Sequence, residues 1–131
     1  SDTAQLKNKS PLPIIADENS INASDIPKIE NVFDGINIKL MKCGSLFEAI
    51  KMVKMARERD MQIMLGCMIE SSVAITAAAH ISPLVDYADL DGNLLINNDP
   101  YRGVTVEDGR LILPEAHGLG VSLINKDSSL R

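Results

Sequence analysis

The sequence predicts an α/β fold, the C-terminal half of a TIM-type (β/α) barrel of about four βα units followed by a β-hairpin tail. Three observations carry this. Apolar strand-like runs begin near Pro13, Ile36, Gln62 and Tyr87, spaced by 23, 26 and 25 residues. Helical patterns fill the intervals, and strand alternating with helix argues for a parallel sheet covered by its helices. Four such units leave two sheet edges with unpaired backbone groups, which parallel sheets avoid by closing or extending. Half of an eight-stranded barrel follows, as a fragment, a proteolytic product or one part of a larger structure. An independent four-stranded domain is the alternative.

Each element has its own signature. Residues 1–10 are polar and patternless, and read as the end of a preceding helix and its loop. Residues 11–95 hold the half-barrel. Pro11 to Ala16 and Ile36 to Met41 read as continuous buried strands. Ser24 to Asn31 is a weak helix with Ser24 as cap and Pro27 in its first turn. Ser45 to Asp60 is the clearest helix. Ser45 and Glu48 form a capping box, Leu46, Ala49, Ile50, Val53 and Ala56 keep the 3.6-residue period, and Arg57 and Arg59 suit the negative end of the dipole. An alanine-rich helix runs from about Ser71 to Ile81. Residues 96–131 form the tail. In it Val104 to Val106 and Leu111 to Leu113 pair across Asp108-Gly109, a hairpin dipeptide. Gly118-Leu119-Gly120 is loop, and the Ser/Lys/Asp ending is a frayed terminus.

The bulk numbers exclude several classes. The chain has 131 residues, 45% hydrophobic and 24% charged, with a net charge of −5 and no apolar run of membrane length. No basic cluster or row of aromatic rings offers a nucleic-acid surface. No leader pattern opens the chain, and Cys43 and Cys67 make no CxxC, so a reducing cytoplasm is expected with both thiols as small packed hydrophobes. No GxSxG, P-loop, GxGxxG or zinc-spaced cluster is present.

The chemistry-bearing residues sit at strand ends, which in a parallel barrel ring one face. Asp17 and Glu18 end the first strand and point in opposite directions. Two roles fit Asp17: a carboxylate ligand for Mg²⁺ alongside others from elsewhere, or a partner for a turn or a lysine. Lys39 has apolar sequence neighbours, so its pKa is expected to be lowered toward that of a base, and pairing with Asp17 is compatible with this. Lys42 is expected to face the other way. Asp89 and Asp91 are two apart on a strand, hence on one face, where a second metal or a ligand ammonium would relieve their repulsion; an exposed acid pair is the plainer reading. Cys67 and Ile69 share one face and Met68 and Glu70 the other. His80 reads as a packed or surface histidine, and His117 has no partner to name.

In this order the residues resemble the C-terminal half of the enolase superfamily, muconate-lactonizing subgroup, and look most like its dipeptide epimerases, including the L-Ala-D/L-Glu epimerases. The landmarks are Pro13-Ile14-Ile15-Ala16-Asp17-Glu18, Ile36-Asn37-Ile38-Lys39-Leu40-Met41-Lys42-Cys43-Gly44, Met68-Ile69-Glu70-Ser71, Thr76-Ala77-Ala78-Ala79-His80, Asp89-Leu90-Asp91 and Asn98-Asp99-Pro100. Two departures concern loop shape: Asp17-Glu18-Asn19 stands where the family has Asp-Glu-Ser, and Gly44-Ser45 where it has two glycines.

The resemblance makes residues 11–95 strands five to eight of the barrel, and it implies Mg²⁺ as cofactor, with Asp17 as one of three metal carboxylates. It implies Lys39 as one of two acid/base lysines flanking the substrate α-carbon. Asp89 and Asp91 would hold the α-ammonium of a dipeptide, and Cys67 and Ile69 would line the pocket for its second side chain. The reaction implied is 1,1-proton transfer through an enediolate. A muconate cycloisomerase or o-succinylbenzoate synthase-like enzyme, and an inactive half-barrel module, are the competing readings. The partners implied are the missing N-terminal half of the barrel, a capping domain reached by the tail and a small-molecule dipeptide, with no nucleic acid and no membrane; a homo-oligomer stays open. The 131 residues by themselves are expected to be inactive and to bind Mg²⁺ poorly.

Overall fold

The computed structural model describes residues 2–124. Four strands, β1 (Ile15–Ala16), β2 (Gly35–Ile38), β3 (Gln62–Leu65) and β4 (Tyr87–Ala88), lie side by side in chain order and are all parallel. Helices connect them: α2 (Ile26–Ile29) after β1, α3 (Leu40–Cys43) and α4 (Leu46–Arg57) after β2, and α5 (Ser72–Ala79) after β3. A further helix, α1 (Asp2–Lys9), precedes the sheet. The sheet is an arc of a (β/α) barrel, with β1 and β4 as its open edges.

The core lies between sheet and helices. Ile36 is paired with Ile63 and Ile38 with Leu65, and all four are fully buried. Ala49, Met52, Val53 and Ala56 of α4 and Ile75, Ala78 and Ala79 of α5 press onto that layer. Small residues on these faces let helix and sheet approach closely. Two acids stitch the strand starts: Asp34 Oδ2 accepts the Ile14 amide at 2.8 Å, and Asp86 Oδ2 accepts the Ile63 amide at 2.7 Å. Arg57 Nη1 donates to that same Asp86 oxygen at 2.7 Å and holds its carboxyl below the usual range. No described helix is long and apolar enough to cross a membrane.

The tail is stapled to α5. Asp99 Oδ2 accepts the Ser72 amide at 2.5 Å and its Oδ1 accepts the Tyr101 amide at 3.0 Å. Thr76 Oγ1 donates to Ser72 O and accepts the Val104 amide at 2.9 Å. Beyond this anchor β5 (Tyr101–Arg102) pairs antiparallel with β8 (Ser122–Leu123), and β6 (Thr105–Glu107) pairs with β7 (Arg110–Ile112). The hairpin expected across Asp108-Gly109 is present, with φ of 49° and 76° at its two turn residues, the left-handed pair that suits strand twist. The β5/β8 ribbon was not expected, because two-residue strands have no sequence period. The expected frayed ending lies outside the described residues.

Other boundaries differ from expectation for local reasons. The run from Pro11 forms a strand only at Ile15–Ala16: β1 is a sheet edge, and Leu12 is 72% exposed. The run from Ile36 leaves the sheet after Ile38 and turns helical as α3, which ends at Gly44 in the left-handed region at φ 81°. The weak helix is capped by Asn22, two residues before Ser24, through a box with Asp25. The α4 box is half made: Ser45 Oγ accepts the Glu48 amide at 3.1 Å, but Glu48 Oε1 accepts the Ala23 amide at 2.8 Å instead of reaching back to Ser45. Ile50 is exposed, and Met52 fills the inner face.

Candidate active site at the strand ends

The ends of β1 and β2 deliver one carboxylate and two ammonium groups to a single point. Asp17 directly follows β1, and Lys39 directly follows β2. Lys39 Nζ donates to Asp17 Oδ2 at 2.9 Å, and Lys42 Nζ to Asp17 Oδ1 at 2.6 Å. The lysine side chains are 13% and 10% exposed, and that of Asp17 is 35% exposed. Lys42 is saturated, since it also donates to Asp17 O at 2.6 Å and to Asn37 O at 3.1 Å. Ser20 Oγ closes the turn by donating to Ala16 O at 2.9 Å.

These contacts set the titration. Burial pushes the Asp17 carboxyl up, but the hydrogen bonds from Lys42 and Lys39 outweigh it and hold the group below its ordinary value. The hydrogen bond to Asp17 raises Lys39 above the usual lysine value, against partial burial. The expectation of a lowered Lys39 is therefore corrected: apolar sequence neighbours do not desolvate this ammonium, because a carboxylate faces it across the strand gap. Lys42 is corrected as well. It lies on the helical turn of α3, not on a strand, so alternation does not apply and its ammonium returns to Asp17.

The ends of β3 and β4 are more open. The strand alternation expected to sort Cys67, Met68, Ile69 and Glu70 stops with β3 at Leu65. Cys67 Sγ lies 3.9 Å from Asp91 Oδ1, Ile69 is 67% exposed, and Glu70 Oε1 accepts the Met68 amide at 2.7 Å. Burial pushes the Cys67 thiol up, which suits a packing group and not a nucleophile. Asp89 and Asp91 are both exposed and flank buried Leu90. Strand β4 ends at Ala88, so Asp91 belongs to the start of a 3₁₀ turn over Gly92–Leu95 and not to a strand. Asp89 and Asp91 line a groove of about 210 Å³ with Leu94, Val106 and Leu111. Asp17 and Lys39 are not in that groove, and Gly66 and Cys67 occupy the interval between the two sets.

His80 Nε2 lies 3.2 Å from Leu119 O and His117 is exposed in the tail, so neither joins the cluster. A residue missed by sequence reasoning is Asn37, 6% exposed, whose Oδ1 has no hydrogen-bond partner among the described residues. Its signal was the two-residue spacing to Lys39, which puts both side chains on one sheet face.

The fit to a divalent cation follows from the donors. Asp17 is a hard oxygen ligand at an accessible strand end, suited to Mg²⁺, which takes one or two carboxylates plus waters and substrate oxygens. Among the described residues no three His, Cys, Asp or Glu side chains gather to hold a metal. Asp17 therefore suits one ligand position in a set completed from elsewhere.

Known proteins share the family and the fold. The family model described as Enolase C-terminal domain-like matches residues 1–127. An L-Ala-D/L-Glu epimerase of Bacteroides thetaiotaomicron is 50% identical over 123 residues, covering 94% of this chain and 32% of the relative. A dipeptide epimerase of Cytophaga hutchinsonii, solved with Mg and D-Ala-L-Val, superposes with a TM-score of 0.85 at 29% identity, over 95% of this chain and 36% of that one. A dipeptide epimerase of Enterococcus faecalis V583, solved with Mg and L-Leu-L-Tyr, gives 0.82 at 35% identity, over 92% and 36%. The chain spans about a third of the length of the relatives it matches.

Proposed function

The chain belongs to the enolase C-terminal domain-like family, and on that premise we propose that it forms part of a Mg²⁺-dependent dipeptide epimerase. The reaction is 1,1-proton transfer at the α-carbon of a dipeptide such as L-Ala-D/L-Glu. The observation that carries this reading is the 2.9 Å contact between Lys39 Nζ and Asp17 Oδ2, which supports a pairing of an acid/base nitrogen with a metal-ligating carboxylate. Bound at Asp17, Mg²⁺ would supply positive charge against the negative charge that gathers on a substrate carboxylate.

Lys39 acts on one face of the α-carbon. As the amine its Nζ takes the proton, and as the ammonium it returns one, while a lysine from outside this chain serves the opposite face. Lys42, with every contact satisfied, orients Asp17 and takes no proton. Asp89 and Asp91 receive the substrate α-ammonium, and the groove beside them accepts the adjoining part of the dipeptide. Cys67 and Ile69 border the second side chain. We place the protein in the cytoplasm, where its free thiols stay reduced.

The test is α-proton exchange in deuterated water. The protein at its natural length, with Mg²⁺, is screened against a dipeptide library by mass spectrometry. Deuterium incorporation together with appearance of the second epimer is expected. A library in which no dipeptide exchanges overturns the reading.

A further inference from the structure

We propose that Asn37 is a positioning residue: its side-chain oxygen is a second seat for the Lys39 ammonium, taken whenever the Asp17 carboxylate is engaged by a cation. The inference rests on the function proposed above and adds to it a residue whose role is to place the proton-transferring nitrogen.

Three observations carry it. First, Asn37 Oδ1 is a buried acceptor with no donor among the described residues, in a side chain 6% exposed. Buried polar atoms are nearly always paired, so an orphan beside a charged cluster marks a place where a donor arrives. Second, the Lys39 side chain runs beside it. Asn37 Oδ1 stands 2.7 Å, and Lys39 Cε 3.2 Å, from the point where a Cβ on Gly66 would be. Both side chains thus pass over the same bare glycine, and rotation about the last bonds of the lysine carries its ammonium from one oxygen to the other. Third, the neighbouring ammonium is not available. Lys42 holds three acceptors, whereas Lys39 holds the single Asp17 oxygen. Lys39 is the lysine that can move, and Gly66 keeps its path clear.

The test uses the natural-length protein with Asn37→Leu, which keeps size and removes the acceptor, Asn37→Asp, which restores an oxygen, and Gly66→Ala, which blocks the passage. Deuterium exchange is followed from each epimer separately, because Lys39 serves one face alone. Mn²⁺ affinity is measured by electron paramagnetic resonance as a readout independent of turnover. In N37L, exchange from one epimer falls about tenfold with KM nearly unchanged, and the other epimer is spared. Mn²⁺ binding weakens about tenfold, because Lys39 stays on Asp17. N37D recovers most of both effects, and G66A reproduces those of N37L. Wild-type exchange and wild-type Mn²⁺ affinity in N37L overturn the inference, and so does an equal loss on both epimers that N37D fails to recover. If the unsubstituted protein exchanges no dipeptide, the functional reading fails, and the Mn²⁺ comparison still decides the role of Asn37.

Discussion

Asp17 holds two ammonium groups, at 2.9 and 2.6 Å, whereas Asp89 and Asp91 at the far edge of the same sheet have no lysine or arginine within salt-bridge distance among the described residues. The first site is built from side chains that are mostly buried and mutually bonded. The second is exposed, and its firmest side-chain contact is a thiol at 3.9 Å. Proton transfer needs reacting atoms held within fractions of an ångström, so a chain that performs it fixes them with bonds of its own. Recognition of a substrate ammonium needs charge of the right sign facing an opening, and the substrate completes the site. The contrast separates a region bonded within itself from one left open, and under the proposed function the open one is finished by the substrate.

The largest break in that comparison comes from Lys39→Ala. Turnover should fall about a thousandfold, as expected for loss of a general acid/base, with the circular dichroism spectrum unchanged. An equal loss in Asp91→Asn would erase the distinction.

Asp17→Asn should come next, now in stability. It strips the partner from two mostly buried ammonium groups and should cost about 2–3 kcal/mol by urea denaturation. Asp89→Asn and Asp91→Asn should stay within about 0.5 kcal/mol of the parent, as exposed sites usually do.

The same asymmetry should be visible in pH. Asp17 sits below its ordinary value of 3.8, so its contribution is present above that value and is lost as pH falls through the lower folded one. Lys39 sits above its ordinary 10.5, so its contribution is present below that value and is lost as pH rises through the higher one. Melting temperature against pH should change least between 3.8 and 9.0 and fall on both sides, with the Cys67 thiol, which burial raises above its ordinary 9.0, joining Lys39 in the alkaline limb. Asp17→Asn should shallow the acid limb without abolishing it, because Asp86, through its Arg57 hydrogen bond, is depressed as well.

The smallest effect sharpens the recognition side. Asp91→Asn should raise KM for a dipeptide about tenfold and leave kcat within about twofold, the pattern of a group that binds ground and transition states alike. Steady-state kinetics on one dipeptide separates the two constants.

Much of this was legible in the sequence, and the exceptions are instructive. The spacing of apolar runs identified the four strands, and Asp17 and Lys39 were found because a charge that ends an apolar run asks for a partner. Lys42 was misplaced because period-two reasoning was carried four residues past Ile38, into a stretch where the chain has turned helical. The pKa direction of Lys39 was missed because desolvation was judged from neighbours along the chain, while the residue that governs it lies on another strand. The two-residue spacing from Asn37 to Lys39 went unread, since an asparagine inside an apolar strand looks like an interruption until its unpaired oxygen is located. The β5/β8 ribbon is too short for any pattern to reveal.

The Asp99 side chain closes the open end of α5 from 27 residues downstream. The first turn of that helix is thus incomplete until the later segment has arrived, whatever its alanine content. Trimming the molecule after Leu95 would therefore not remove an ornament. It would unlatch a wall of the arc, and amide exchange in the opening turn of α5 would register the loss first.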